Sequence, residues 1–170
     1  MAGLLAIAPF AHANDGTIEF TGMVTALTCT INGAPGAENF TVPLPPVSTS
    51  SLTAVGSSAG RTPFSITLTG CTPNNGQVAT YFEPGDTVDM GTNQLIVDAG
   101  GAENVQLRLL NSDFSKILAG AAQASQNSTP VSIDAGNATL NYYVEYAQNG
   151  LLGATPGAAN SRIQYTLIYP

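Results

Sequence analysis

Apolar and polar residues alternate with a period of two over much of this chain. In Asp15–Thr21, Gly16, Ile18 and Phe20 take the even positions, and Asp15, Thr17, Glu19 and Thr21 take the odd ones. On a strand such alternation gives one apolar edge and one polar edge. Phe40, Val42 and Leu44 alternate, as do Phe64, Ile66 and Leu68 with Ser65 and Thr67 between them. Leu140, Tyr142, Val144 and Tyr146 share one strand face, and Ile163, Tyr165, Leu167 and Tyr169 share another. Tyr81-Phe82, Leu95–Val97 and Val105–Leu110 add apolar runs. Gly and Pro punctuate the gaps, as at Pro45-Pro46, Pro84-Gly85, Gly100-Gly101 and Pro156-Gly157. About seven or eight short strands in a chain of single-domain length predict an all-β sandwich. The Ala-rich stretch Ile117–Ala124 reads as one or two helical turns. There is no internal repeat and no second domain.

Leu4 to Phe10 is apolar, and Ala11-His12-Ala13 fits the small-x-small cleavage pattern. Residues 1–13 therefore read as a signal peptide, with the mature chain starting at Asn14. The segment is short and lacks a basic leading region, so the true start of the leader is expected further upstream. No other apolar run approaches the roughly 20 residues of a spanning helix, so no membrane insertion is expected.

In an exported chain the two cysteines, Cys29 and Cys71, read as one disulfide. Two cysteines cannot complete a closed zinc shell, so no metal is expected. Net charge is −7, and the basic residues are Arg61, Arg108, Lys116 and Arg162. A nucleic-acid partner needs a concentrated cationic face, which this composition does not supply. His12, the one histidine, lies in the expected leader. The mature chain thus lacks the base of a Ser-His-Asp or Cys-His site, and neither enzymatic activity nor a cofactor is expected. Glu83, Asp86 and Asp89 lack the spacing of a calcium loop and read as an acidic turn. Asn39, Asn127 and Asn137 begin glycosylation sequons but read as turn and strand residues. Tyr142 and Tyr146 read as core or groove lining, with Tyr143 facing outward.

Both ends of the chain carry a strand-pairing signal. The segment at Gly16–Thr21 precedes the first cysteine and can pair outside its own fold. At the other end the last strand runs to Pro170, so one sheet edge or groove is expected to stay open. Head-to-tail pairing of two such surfaces is heterologous, and contacts of that kind which do not close give filaments.

The chain resembles the chaperone–usher pathway pilin family, specifically the type 1-like fimbrial major subunits. The likeness rests on Gly16-Thr17-Ile18-Glu19-Phe20-Thr21-Gly22 followed by Cys29; on Cys71 after the Phe64–Gly70 strand; on Val105-Gln106-Leu107-Arg108-Leu109; and on Ala154–Asn160. Gly157 stands fourteenth from the end and Tyr169 next to last, as in the family's C-terminal pattern. One departure is that only Asn14 and Asp15 precede Gly16 in the expected mature chain, where the family's extension usually begins several residues earlier. The resemblance implies an incomplete immunoglobulin-like β-sandwich, the pilin fold, lacking its final strand and completed by a strand from another chain. Residues 14–22 become a donor-strand extension and 23–170 the pilin domain. Gly16, Ile18, Phe20 and Gly22 would enter the neighbour's groove, where Gly157, Ile163, Tyr165, Leu167 and Tyr169 belong to the receiving C-terminal strand. The implied partners are identical or related pilin subunits, a periplasmic chaperone and an outer-membrane usher. The implied destination is a fimbria on the bacterial surface, reached through the periplasm and supporting adhesion. The alternative reading is a fimbrial adhesin or minor pilin that binds a host glycan.

Overall fold

The computed structural model describes residues 39–170, together with 28–32, 34–35 and the single positions Glu19, Gly22, Val24 and Ala26. Signal residues 1–13 and the donor positions Gly16, Ile18 and Phe20 lie outside the described residues. Gly22 is described and exposed.

Ten strands are formed among the described residues: β1 (Thr28–Ile31), β2 (Ala34–Pro35), β3 (Ser58–Thr72), β4 (Gly76–Phe82), β5 (Val88–Asp89), β6 (Gln94–Ile96), β7 (Val105–Asn111), β8 (Val131–Ile133), β9 (Ala138–Gln148) and β10 (Tyr165–Ile168). Four strands, β1, β2, β5 and β8, go beyond the sequence expectation. At two to four residues each, they are too short for a period to register. One sheet has the order β2-β1-β3-β9-β7-β6-β5, and the other has the order β10-β4-β8. All pairings are antiparallel.

The long ladders follow the alternation of the sequence. Phe64, Ile66 and Leu68 of β3 lie opposite Tyr142, Leu140 and Ala138 of β9. Ile66, Leu68, Leu140 and Tyr142 are buried in the core, with Leu107 and Leu109 of β7 and Val78 and Phe82 of β4. These side chains come from both sheets, so the core is the layer between them, as in a face-to-face sandwich. Cys29 of β1 and Cys71 of β3 are joined by a disulfide, with their Cα atoms 4.1 Å apart. The bridge closes a separation of 42 residues, and chain entropy values such a loop at about 4 kcal/mol.

Two local expectations are corrected. Ile117–Ala124 forms no α-helical turn. Leu118 N–H donates to the Gln126 carbonyl and Gly120 N–H to the Phe82 carbonyl on β4, at 2.9 and 3.0 Å. Tertiary partners thus take the backbone groups a helix would use, and Gly120 sits at φ +73°. A single 3-10 turn at Gln123–Ser125 is all the helix this region holds. Segment 39–47, read as a strand from Phe40, Val42 and Leu44, joins no sheet ladder among the described residues. Pro43, Pro45 and Pro46 lack the N–H groups a ladder requires. The alternation survives in burial: Val42, Leu44 and Val47 pack on the core, while Thr41, Pro43 and Pro45 are exposed.

Candidate functional site

Among the described residues the sandwich does not close along one side. A groove of about 1120 Å³ runs between segment 39–44 and segment 159–166. Its floor is core: Phe64 and Ile66 of β3, Leu107 and Leu109 of β7, Val144 and Tyr146 of β9, Leu95 of β6 and Phe82 of β4. The groove exceeds the usual small-ligand pocket of roughly 300–1,000 Å³, and its floor offers almost only hydrocarbon and aromatic surface. Among the described residues β10 stands at the end of its sheet, paired to β4 through Tyr165 opposite Phe82 and Ile168 opposite Ala79.

The wall formed by segment 159–166 is pinned from behind. Asp98 N–H donates to the Asn160 carbonyl at 2.9 Å, and the Ser161 hydroxyl to the Ile96 carbonyl at 2.6 Å. The Thr87 hydroxyl donates to the Arg162 carbonyl at 2.6 Å, and Glu83 N–H to the Gln164 carbonyl at 2.9 Å. The Thr166 hydroxyl adds a bond of 2.6 Å to the Glu83 carboxylate. Arg162 meets Asp86 at 2.8 Å and Asp98 at 3.4 Å, but these pairs are open to solvent and add little. Among the described residues the other wall has no such ladder. It leans on the floor through Phe40, whose ring centroid lies 6.3 Å from Phe64, and meets Tyr165 of the opposite wall at 6.4 Å. The aromatic chain continues inward from Phe64 to Tyr142 at 5.5 Å and from Tyr142 to Phe82 at 5.4 Å. Burial pushes the Tyr146 hydroxyl pKa up on the floor, and that of Tyr169 beyond it.

Of the C-terminal residues singled out in the sequence, Ile163 and Tyr165 line the groove. Leu167 and Tyr169 are half-buried and pack on the core from the same strand face. Gly157 stands apart from the groove lining. A Cβ there would meet Ala102 N at 2.7 Å and Gly101 C at 2.9 Å, so the glycine permits close approach of loop 101–102. Glu83, Asp86 and Asp89 do not converge: they accept from Thr166, Arg162 and Gln106 respectively. Tyr142 and Tyr146 are buried, while Tyr143 faces out and stacks on Phe114 at 4.9 Å.

Sequence reasoning missed an ion cluster on the outer face of the large sheet. The Glu145 carboxylate accepts from Arg108 at 2.6 and 2.9 Å and from Arg61 at 2.8 Å. Arg61 also lies 4.5 Å above the Phe114 ring. No local period signals this cluster, because its members come from three strands.

The family model for FimA, type-1 fimbrial protein A, matches residues 44–170. The major fimbrial subunit SMF-1 of Stenotrophomonas maltophilia is 49% identical, over 98% of this chain and 99% of that protein. The chain belongs to the type-1 fimbrial protein family. Its fold is likewise that of solved fimbrial subunits. A Burkholderia pseudomallei antigen and type I fimbria protein superposes with a TM-score of 0.60 at 29% identity, covering 84% of this chain and 89% of that one. A subunit of a chaperone–usher pilus superposes with a TM-score of 0.61 at 18% identity, covering 96% and 100%. At that identity the second likeness speaks to fold alone. The architecture is the incomplete immunoglobulin-like pilin sandwich, and the protein is a structural fimbrial subunit.

Proposed function

We propose that this fimbrial subunit polymerises by donor-strand exchange, with residues 14–22 of one copy filling the groove of the next. The observation that carries this reading is the groove itself: a trench with apolar core side chains for a floor and polar walls, flanked by β10 and a proline-bearing segment that cannot pair fully. A strand laid there would run alongside β10 and cover the floor with alternate side chains. The segment 14–22 offers that pattern, with Gly16, Ile18, Phe20 and Gly22 on one edge. Burying Ile18 and Phe20 contributes roughly 1.5–3 kcal/mol each. Gly16 suits a shallow place in the trench. Before assembly the same groove needs temporary cover, which a periplasmic chaperone strand provides until an outer-membrane usher exchanges it. The assembled fibre stands on the cell surface and supports adhesion, and the chain has no catalytic role.

The test compares the two edges of the donor segment. Phe20→Ala and Gly16→Val are expected to reduce heat-resistant polymer on the cell surface at least tenfold. Thr17→Ala and Glu19→Ala, on the opposite edge, are expected to leave it within twofold. Equal effects from both edges, or none from either, would remove the donor-strand reading.

A further inference from the structure

The two ends of the sandwich differ. At one end Thr28 opens β1 opposite Thr72 at the close of β3, beside the disulfide. Gly136 N–H donates to the Asn74 carbonyl there, and Cys71 N–H to the Gly136 carbonyl, gathering the turns before β4 and β9. Chain running N-terminal from Thr28 departs from this disulfide end. At the opposite end β3 begins at Ser58 and β9 closes, with Ser58 opposite Ala147. Loops 52–57 and 149–153 meet there, tied by Gly56 N–H to the Gln148 carbonyl at 2.9 Å and Ala154 N–H to the Leu52 carbonyl at 3.2 Å. Neither loop has a charged residue. Val55, Leu151 and Leu152 project from them at 61%, 98% and 74% exposure. A single exposed apolar side chain needs no explanation, but three on two adjoining uncharged loops mark a contact surface, with exposed Glu103 at its rim where Asn104 bonds the Gly153 carbonyl.

Polymer geometry selects the occupant. Residues 23–27 join the donor segment to β1 and span at most about 18 Å. The donor's body therefore abuts one mouth of its neighbour's groove. If it abutted the disulfide end, like ends would meet, a third copy would need the same occupied end, and growth would stop at two. Open growth by one repeated contact requires unlike ends to meet. The body of the next copy thus sits at the Leu151–Leu152 end. β10 runs away from that end, since Ile168 lies opposite Ala79 near the start of β4, so the incoming strand lies antiparallel to β10.

We infer that the Val55–Leu151–Leu152 tip is a second, body-to-body contact along the fibre, covered by the disulfide end of the next copy. Val24, fully exposed and four residues ahead of Thr28, is an apolar group on the linker that would pass this tip. The inference rests on the strand-exchange reading, and the experiment separates the two. A photo-crosslinking p-benzoylphenylalanine is placed at position 152 in one strain and at 163 in another, and intact fimbriae are irradiated and mapped by mass spectrometry. Position 152 is expected to link to the neighbour's residues 22–28, 72–76 or 134–137, and position 163 to its residues 14–22. Groove links from 163 without those links from 152 overturn the tip contact and leave strand exchange standing. Absence of groove links from 163 overturns strand exchange, and the tip contact falls with it. In parallel, the double variant Leu151→Ser, Leu152→Ser is expected to keep heat-resistant polymer within twofold while mean fibre length after shearing falls at least twofold. An unchanged length distribution also overturns the contact.

Discussion

Replacing Glu145 with alanine isolates the energetics of the ion cluster on the outer sheet face. The Glu145 side chain is 3% exposed, that of Arg108 10% and that of Arg61 42%. Removing the carboxylate strands the Arg108 guanidinium in a desolvated place with no counter-charge. Breaking a buried pair this way costs about 3–5 kcal/mol. Arg61 behaves differently, because its head reaches water and keeps its place over Phe114. Arg61→Ala should therefore cost only the exposed pair and the cation–π contact, together about 1–2 kcal/mol. The double replacement Arg108→Met, Glu145→Leu removes both buried charges at similar volume and should return stability to within about 1 kcal/mol of the parent. Urea unfolding of the refolded subunit, followed by tyrosine fluorescence, measures all three. The midpoint should move while the slope stays constant. The reasoning is refuted if Arg61→Ala costs as much as Glu145→Ala, or if the double variant falls as far as Glu145→Ala alone.

Two further outcomes follow from local geometry. Gly157→Ala drives a Cβ against the Gly101–Ala102 backbone, which cannot swing aside as a side chain would. It should speed amide exchange at Ala102 and Asp98, whose N–H groups bond the 158 and 160 carbonyls, and equal exchange in variant and parent would show that the loop yields freely. The Asp89 carboxyl is held below its ordinary value, first by the Gln106 amide and then by Gly91 N–H. A depressed folded-state pKa contributes stability above the unfolded value near 3.8, and that contribution is lost as pH falls through the lower folded value. Asp89→Asn should therefore flatten the acid side of the stability profile below about pH 4, where unfolded carboxylates titrate. A parallel downward shift at all pH values would contradict this.

The sequence by itself determined which side chains face inward. A period of two is a local property of extended backbone, so the inward faces of β3, β9 and β10 were legible from Phe64–Leu68, Leu140–Tyr146 and Ile163–Tyr169. The cysteine pair was legible from the two-cysteine composition, whereas the period of Phe40, Val42 and Leu44 gave a strand where Pro43, Pro45 and Pro46 withhold ladder donors. Tertiary structure alone decided which strands became neighbours, and the remaining features follow from that choice. Glu145 meets Arg108 and Arg61 across separations of 37 and 84 residues, which no local pattern encodes. Ile117–Ala124 has helical composition, yet its carbonyl and amide groups are claimed by β4 and Gln126. The groove exists because segment 39–47 and β10 settle on opposite sides of a shared apolar floor. Local alternation sets the face a residue shows, but only chain closure over long separations sets what that face meets.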